Sequence, residues 1–225
     1  MQGTLAAIFP MRMSKRSEFK TDLEKIVQIF FLSKESYLVL RELYKTIENS
    51  TYLIDLKFKG TFFTLTKVNY WRVIVLQLSK LYIERERFNI INLLEKCKKG
   101  KYYSSLNIDQ DFIISELKKI KENQKLIDDI KIQRDKIFAH EDSNNTEIVN
   151  DITLDETQNL IELCQNIIFQ IYSEIFDTQY DFEMRNSAIS NLKYILKSLD
   201  EREIQRKEEQ TKFIENIIRK ANQDK

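Results

Sequence analysis

The residues best suited to chemistry lie in one short stretch, residues 134–142 (RDKIFAHED). It contains His140, the only histidine of the chain, six residues after Arg134. A histidine side chain can gain or lose a proton near neutral pH, and an arginine is a permanent cation that binds phosphate oxygens. Together these two residues could hold a phosphodiester and transfer a proton. If the chain is an enzyme, we expect its reaction here.

RNA is the substrate that best fits such a pair, because the enzyme does not have to supply a nucleophile. It carries its own nucleophile, the 2′-hydroxyl, which DNA lacks. Cleavage then requires a general acid or base and a cation on the phosphate oxygens, and His140 and Arg134 provide these two groups. General acid–base help is typically worth about 10²–10⁴-fold in rate, so we expect loss of His140 to impair cleavage severely.

The composition limits other kinds of site. The 225 residues contain 36 Lys and Arg against 35 Asp and Glu, which argues against a general polyanion binder but leaves a local basic patch possible. One histidine and two distant cysteines, Cys97 and Cys164, do not form a zinc site, and the chain lacks a glycine-rich phosphate loop. We therefore expect no metal and no cofactor, and the sparse cysteines suit a reducing cytoplasm.

Apolar spacing predicts an all-α fold. Three glycines and one proline leave few turn signals, and apolar residues recur at steps of three and four. The predicted helical regions are 17–49 (one helix or two), 62–82, 86–97, 109–139 with a break near Asn123, 153–176 and the first part of 180–222. The charged second part of 180–222 is predicted to be either an exposed helix or a frayed arm. Residues 49–61 are predicted as a short extended piece, and 142–152 as a polar loop. Residues 62–82 are apolar on nearly all sides, which is typical of a central helix.

Arg134 occupies an unusual position in its helix. In an ideal helix it lies about 20° from Ile127 and about 40° from Ile130, within the stripe expected to face the core. A cation there costs several kcal/mol unless it is paired or faces a cleft or a partner subunit. An arginine bridging to a core carboxylate is the structural alternative to a functional one.

Geometry also separates the two candidate catalytic residues. In a straight helix His140 points about 120° away from Arg134, so either the helix ends before His140 or a second subunit supplies the matching groups. Lys136 belongs to a lysine stripe on the opposite side of the helix from Arg134, which a straight helix would leave in solvent.

Several other patterns have ordinary structural explanations. Asp109 and Asp111 resemble a metal-binding pair, but an N-cap aspartate with a second acid in the first turn is the commoner arrangement. Thr153 and Glu156 fit a capping box, and Cys164 falls in the apolar stripe that follows. A lysine cluster suggests RNA binding, although the end of a helix before Gly100 explains most of it. Its members are Lys96, Lys98, Lys99 and Lys101.

The stretch from Arg134 to His140 resembles the R-x(4–6)-H motif of HEPN domains. The longer string R-D-K-I-F-A-H-E-D is similar to that of abortive-infection AbiU-type HEPN-like proteins, and the resemblance covers roughly residues 15–178. It implies an antiparallel helical bundle that dimerises and, in active members, metal-independent RNA cleavage. By position, Arg134 would hold the scissile phosphate and His140 would transfer the proton.

The same resemblance implies three supporting residues. Asp135 is the polar residue that follows the arginine, Lys136 lies within the string, and Asp142 ends it. Some HEPN toxins that pair with a nucleotidyltransferase antitoxin carry a tyrosine where this chain has Asp142, which argues against that particular partnership.

These observations predict a domain organisation and a function. We expect an N-terminal tail at 1–15, a HEPN-like helical domain at 16–178 and a charged helical extension at 179–225. The predicted function is a dimeric, cytoplasmic endoribonuclease of toxin or phage-defence type, with RNA and an antitoxin or defence-system protein as partners and no membrane span. Two alternatives remain: an inactive module that binds RNA, nucleotide or protein, and a helical interaction protein in which the motif is coincidental.

Overall fold

The computed structural model describes residues 14–49, 60–83, 85–138, 152–178, 180–182 and 187–223. Within these ranges the chain forms seven α-helices and one short 3₁₀ turn, with no strand. The helices are α1 (Lys15–Asn49), α2 (Thr61–Tyr82), α3 (Ile90–Cys97), α4 (Gln110–Glu122), α5 (Gln124–Phe138), α6 (Leu154–Phe176) and α7 (Ala188–Gln223). The predicted all-α fold is therefore confirmed. Residues 50–59 of the predicted extended piece, residues 142–151 of the predicted polar loop and the tail up to residue 13 lie outside the described residues.

The helix α1 is a single helix of 35 residues, and the other long helices pack along it. Its apolar face is fully buried at Phe19, Leu23 and Phe30. The helix α6 lies antiparallel beside it, as three side-chain hydrogen bonds along the pair show. They run from Arg16 to the Ile175 carbonyl, from Lys34 to Gln165 and from Tyr37 to Gln158.

The helix α2 is central in its second half only. Its residues from Ile74 to Tyr82 are largely buried, and the Tyr82 hydroxyl donates to the Leu160 carbonyl of α6 at 2.6 Å. Phe62 and Leu65, in its first half, are exposed despite their apolar side chains. The prediction of a helix buried on all sides therefore holds only where α2 lies between other helices.

Helix ends follow the predicted capping residues. The Asp109 carboxylate accepts from the Asp111 backbone N–H at the start of α4, and α4 ends at Asn123 as predicted. Thr153 and Glu156 form the complete capping box of α6. The helix α3 is shorter than predicted: Asn89 caps it, and Gly100, with a φ of 76°, lies in the turn beyond its end.

The last helix, α7, runs parallel to α1 and then extends away from other buried residues. Its first backbone N–H, at Ala188, donates to the Glu35 carboxylate at 3.1 Å, and Lys193 lies 3.8 Å from Glu42. Leu196 joins a small buried cluster with Val39, Leu43 and Phe63. The outer part is an exposed helix, one of the two forms predicted for it. Among the described helices, none combines the length and the apolar character that crossing a bilayer would need.

Candidate functional site

The helix α5 presents Arg134 at the edge of its buried face. Ile127, Ile130 and Gln133 are buried there, which fixes the rotation of the helix against its neighbours. The Arg134 side chain retains 22% of its exposure. It is thus half-buried rather than turned into the core, and its guanidinium can reach solvent at the end of an apolar stem.

Two carboxylates hold the guanidinium of Arg134. Its Nε and Nη2 atoms both donate to Oδ1 of Asp135, at 2.9 and 2.8 Å. On the other side, Nη1 forms an ion pair with Oε1 of Glu86 at 3.6 Å. These carboxylate side chains are 54% and 42% exposed, so Arg134 does not bridge to a core carboxylate as the structural alternative supposed.

Glu86 comes from the tight turn between α2 and α3. Its backbone N–H donates to the Ile83 carbonyl at 3.1 Å, and its own carbonyl accepts from the side-chain amides of Asn89 and Asn92. Asn89 is almost fully buried and also accepts from the Asn92 backbone N–H at 2.7 Å, capping α3. One buried amide therefore fixes both the start of α3 and the backbone that carries Glu86.

This arrangement can bind an anion through Arg134. Five N–H groups in a rigid planar fork allow an arginine to contact two phosphate oxygens at once. Asp135 engages the Nε side of the fork, and the Nη1 atom has only a loose ion pair with Glu86.

A scan against protein-family models matches residues 22–195 to the HEPN-type model described as AbiU2. The match spans well over half of the chain. The chain belongs to this family. No curated protein and no solved structure matches it in the same comparisons. The predicted resemblance to abortive-infection HEPN-like proteins is therefore confirmed at the level of the family.

The structure of this AbiU2-family chain brings together some of the predicted site residues. Arg134 and Asp135 contact each other directly, whereas the Lys136 side chain is exposed, as the predicted lysine stripe requires. His140 and Asp142, together with Ala139 and Glu141, lie outside the described residues. The roles given to these residues stay predictions.

Glu86 is a residue of this candidate site that the sequence patterns did not predict. It is 48 positions before Arg134 in the chain. No spacing rule links a residue in the turn before α3 to a residue of α5. Its neighbours, Arg85 and Arg87, are both exposed. The Arg-Glu-Arg triplet at 85–87, at the start of the helix predicted for 86–97, was the available signal, and it does not specify a partner.

Neither the lysine cluster nor the aspartate pair adds a second site. Lys96 lies 3.5 Å from Asp22 and Lys98 lies 2.6 Å from Glu95, so two of the four lysines form ion pairs within the bundle. Across the described ranges, the structure has no group of three or more His, Cys, Asp or Glu side chains that could hold a metal ion.

Burial makes both cysteines poor nucleophiles. It raises the pKa of the Cys97 thiol to about 12 and raises that of the Cys164 thiol further. Since the thiolate is the reactive form, neither residue is a candidate for covalent catalysis.

Proposed function

We propose that this abortive-infection, HEPN-like protein is a metal-independent endoribonuclease that works as a homodimer in the cytoplasm. Arg134 binds the scissile phosphate and stabilises the charge that develops on it. His140 transfers the proton as the 2′-oxygen attacks phosphorus and the 5′-oxygen leaves. Asp135 orients Arg134, and Lys136 and Asp142 are the supporting residues of the same stretch, with Lys136 on the other side of the helix from Arg134.

One observation carries this proposal most directly. The Arg134 guanidinium is held at a bundle surface by carboxylates that are themselves partly solvated. An arginine whose purpose was structural would be expected to pair with a buried group, because an exposed pair contributes about 0–1 kcal/mol. An exchangeable pair suits a residue that releases its carboxylate when a phosphate arrives.

The dimer is proposed for a local reason. An ideal helix turns His140 about 120° away from Arg134, so one α5 helix alone does not aim both side chains at one phosphate. Two copies related by a twofold axis could combine the arginine of one with the histidine of the other. Sedimentation analysis tests the assembly, and a monomer at assay concentration would count against a composite site.

The deciding experiment is RNA cleavage in EDTA. We expect the wild type to cleave RNA, and Arg134→Ala and His140→Ala to lose activity by about 10²-fold or more. Arg206→Ala is the matched control, because Arg206 also forms an ion pair with a nearby acid but lies on α7. A substrate with 2′-deoxy residues should resist cleavage.

The outcomes separate the possibilities. RNA that stays intact under all conditions excludes the nuclease, and a requirement for a divalent ion excludes the metal-independent mechanism. Loss of toxicity in cells with both substitutions would support a defence or toxin role, in which an antitoxin or another defence protein controls the enzyme.

A second function has specific support as well. Enzymes that act along RNA usually have a basic surface, and the near-neutral net charge of +1 does not suggest one. This favours a module that binds RNA, nucleotide or protein without cleaving it. Binding that depends on Arg134, with no cleavage and no effect of His140→Ala, would identify this second function.

A further inference from the structure

We propose that Glu86 is a built-in competitor of RNA: its carboxylate occupies the phosphate-binding edge of Arg134 until an RNA phosphate displaces it. This inference rests on the proposed role of Arg134 in binding a phosphodiester. It assigns a function to a residue of the turn before α3, outside the R-x₅-H stretch.

Asp135 and Glu86 contact different edges of the Arg134 guanidinium, and this is the first observation in favour of the inference. Asp135 accepts two hydrogen bonds at 2.9 and 2.8 Å, and it is the next residue in the same helix. The Glu86 contact is longer, at 3.6 Å, and involves the Nη1 atom instead. A ligand that needs the outer edge of the fork therefore meets Glu86 first and can leave the Asp135 contacts in place.

The rigidity of the turn carries the second step. Hydrogen bonds from Asn89 and Asn92 to the Glu86 carbonyl fix the backbone, and Asn89 is held in the interior. The Glu86 side chain, by contrast, is 42% exposed. The carboxylate can swing away from Arg134 into solvent while the turn keeps its place, so displacement does not require α3 to move.

Charge carries the third step. Arg85 and Arg87 flank Glu86 in the chain, and both side chains are exposed. When the Glu86 carboxylate turns away, the edge of the Arg134 guanidinium that it covered is open to an approaching polyanion. Arg85 and Arg87 add positive charge to the same turn, where the Arg87 guanidinium lies 4.9 Å from the centre of the Phe88 ring. The displaced carboxylate can in turn pair with solvent or with these arginines, which keeps the exchange reversible.

Binding of a short 2′-O-methyl oligoribonucleotide, measured by fluorescence anisotropy, tests this idea apart from cleavage. The methyl group removes the 2′-hydroxyl nucleophile, so affinity is measured without turnover. We expect Glu86→Gln to tighten binding by about two- to five-fold, the range that loss of a competing exposed ion pair allows. Glu86→Asp keeps the charge and should bind within about two-fold of the wild type.

Glu95→Gln is the matched control. Glu95 is 45% exposed and pairs with Lys98 at 2.6 Å, so this variant removes the same charge from a similar surface pair on α3. We expect its affinity to stay close to that of the wild type. In an Arg134→Ala background, Glu86→Gln should have no further effect, because the competing pair no longer exists.

Three results would overturn the inference. They are equal tightening by Glu86→Gln and Glu95→Gln, tightening by Glu86→Gln that persists without Arg134, and no binding of the oligonucleotide by any variant. The proposed nuclease fails separately. Arg134-dependent binding that Glu86→Gln tightens, with no cleavage of ordinary RNA, supports the role of Glu86 and excludes the enzyme. Cleavage that needs Arg134, together with an affinity and a cleavage rate that Glu86→Gln leaves unaltered, supports the enzyme and excludes the role of Glu86.

Discussion

The helices α6 and α7 both lie against α1, yet only α6 is buried along its length. The helix α6 places eight residues in the interior from Thr157 to Tyr172, whereas Leu196 is the one described residue of α7 that is buried. Both sequences have an amphipathic pattern. The difference lies in the neighbouring helices: α6 packs against both α1 and α2, whereas α7 has α1 alongside only its first turns.

The pattern along α7 makes this point sharply. Ile214 follows Leu196 by 18 residues, which returns to the same angular position in an ideal helix. Leu196 is 2% exposed and Ile214 is 56% exposed. An apolar stripe therefore identifies the face of a helix, and the elements beside it decide whether that face is buried.

The largest expected effect separates the two helices directly. Ile167→Ala in α6 should lower the free energy of unfolding by about 2–5 kcal/mol, because it leaves a cavity at a fully buried position. Ile217→Ala in α7, where the side chain is 52% exposed, should change it by less than about 0.5 kcal/mol. Urea denaturation followed by circular dichroism measures both, and equal losses would show that the outer part of α7 is covered in solution.

A smaller effect is expected where α7 meets α1. Leu196→Ala should cost about 2 kcal/mol, at the lower end of the range for such substitutions, since its buried cluster contains only three other residues. Hydrogen exchange should show faster amide exchange in the first turns of α7 with little change in α6. Acceleration throughout α6 would instead mean that the two regions unfold as one unit.

The caps should differ by less. Thr153→Ala removes the capping box of α6 and should cost about 1 kcal/mol. Ser187→Ala removes a longer cap contact at the start of α7, where the Ser187 hydroxyl accepts from the Ser190 backbone N–H at 3.4 Å, and should cost about 0.5 kcal/mol, the lower end of the range for caps. Thermal unfolding of the two variants compares these stability losses. A larger loss for Ser187→Ala than for Thr153→Ala would show that the cap of α7 contributes more to stability than the cap of α6.

The smallest effect concerns pH. Hydrogen bonds from the Thr153 backbone and side chain lower the pKa of Glu156 from its usual 4.5. Stability from this depressed pKa is fully present above pH 4.5 and is lost as the pH falls through the pKa of the folded state. The stability difference between wild type and Glu156→Gln should therefore shrink as acid is added. Unfolding free energies measured at several pH values check this, and a constant difference would contradict it.

Local patterns predicted much of this molecule. Helical periodicity gave the helices, and short-range chemistry gave the caps at Asp109 and Thr153, because both depend on residues near one another in the chain. The half-exposed α2 was not predictable in the same way, since its burial depends on which helices pack beside each half.

In the candidate site, too, some contacts depend on local sequence and others depend on how the helices pack. The position of Arg134 near the buried stripe and its contact with Asp135 depend on one helix and were within reach of the sequence. The pairing with Glu86 depends on how the turn before α3 packs beside α5, and nothing in the local pattern determines that. The proposed completion of the site by a second copy would likewise depend on assembly and not on spacing.

Because both native cysteines are buried, they should react little with thiol-directed labels. Cys97 and Cys164 are the chain's two thiols, and both are buried and weakly ionised at neutral pH. A maleimide dye should therefore react far faster with one cysteine introduced on the exposed side of α7 than with either native thiol. Paired with a donor on an RNA, such a dye could test the proposed binding of RNA without first removing the native cysteines.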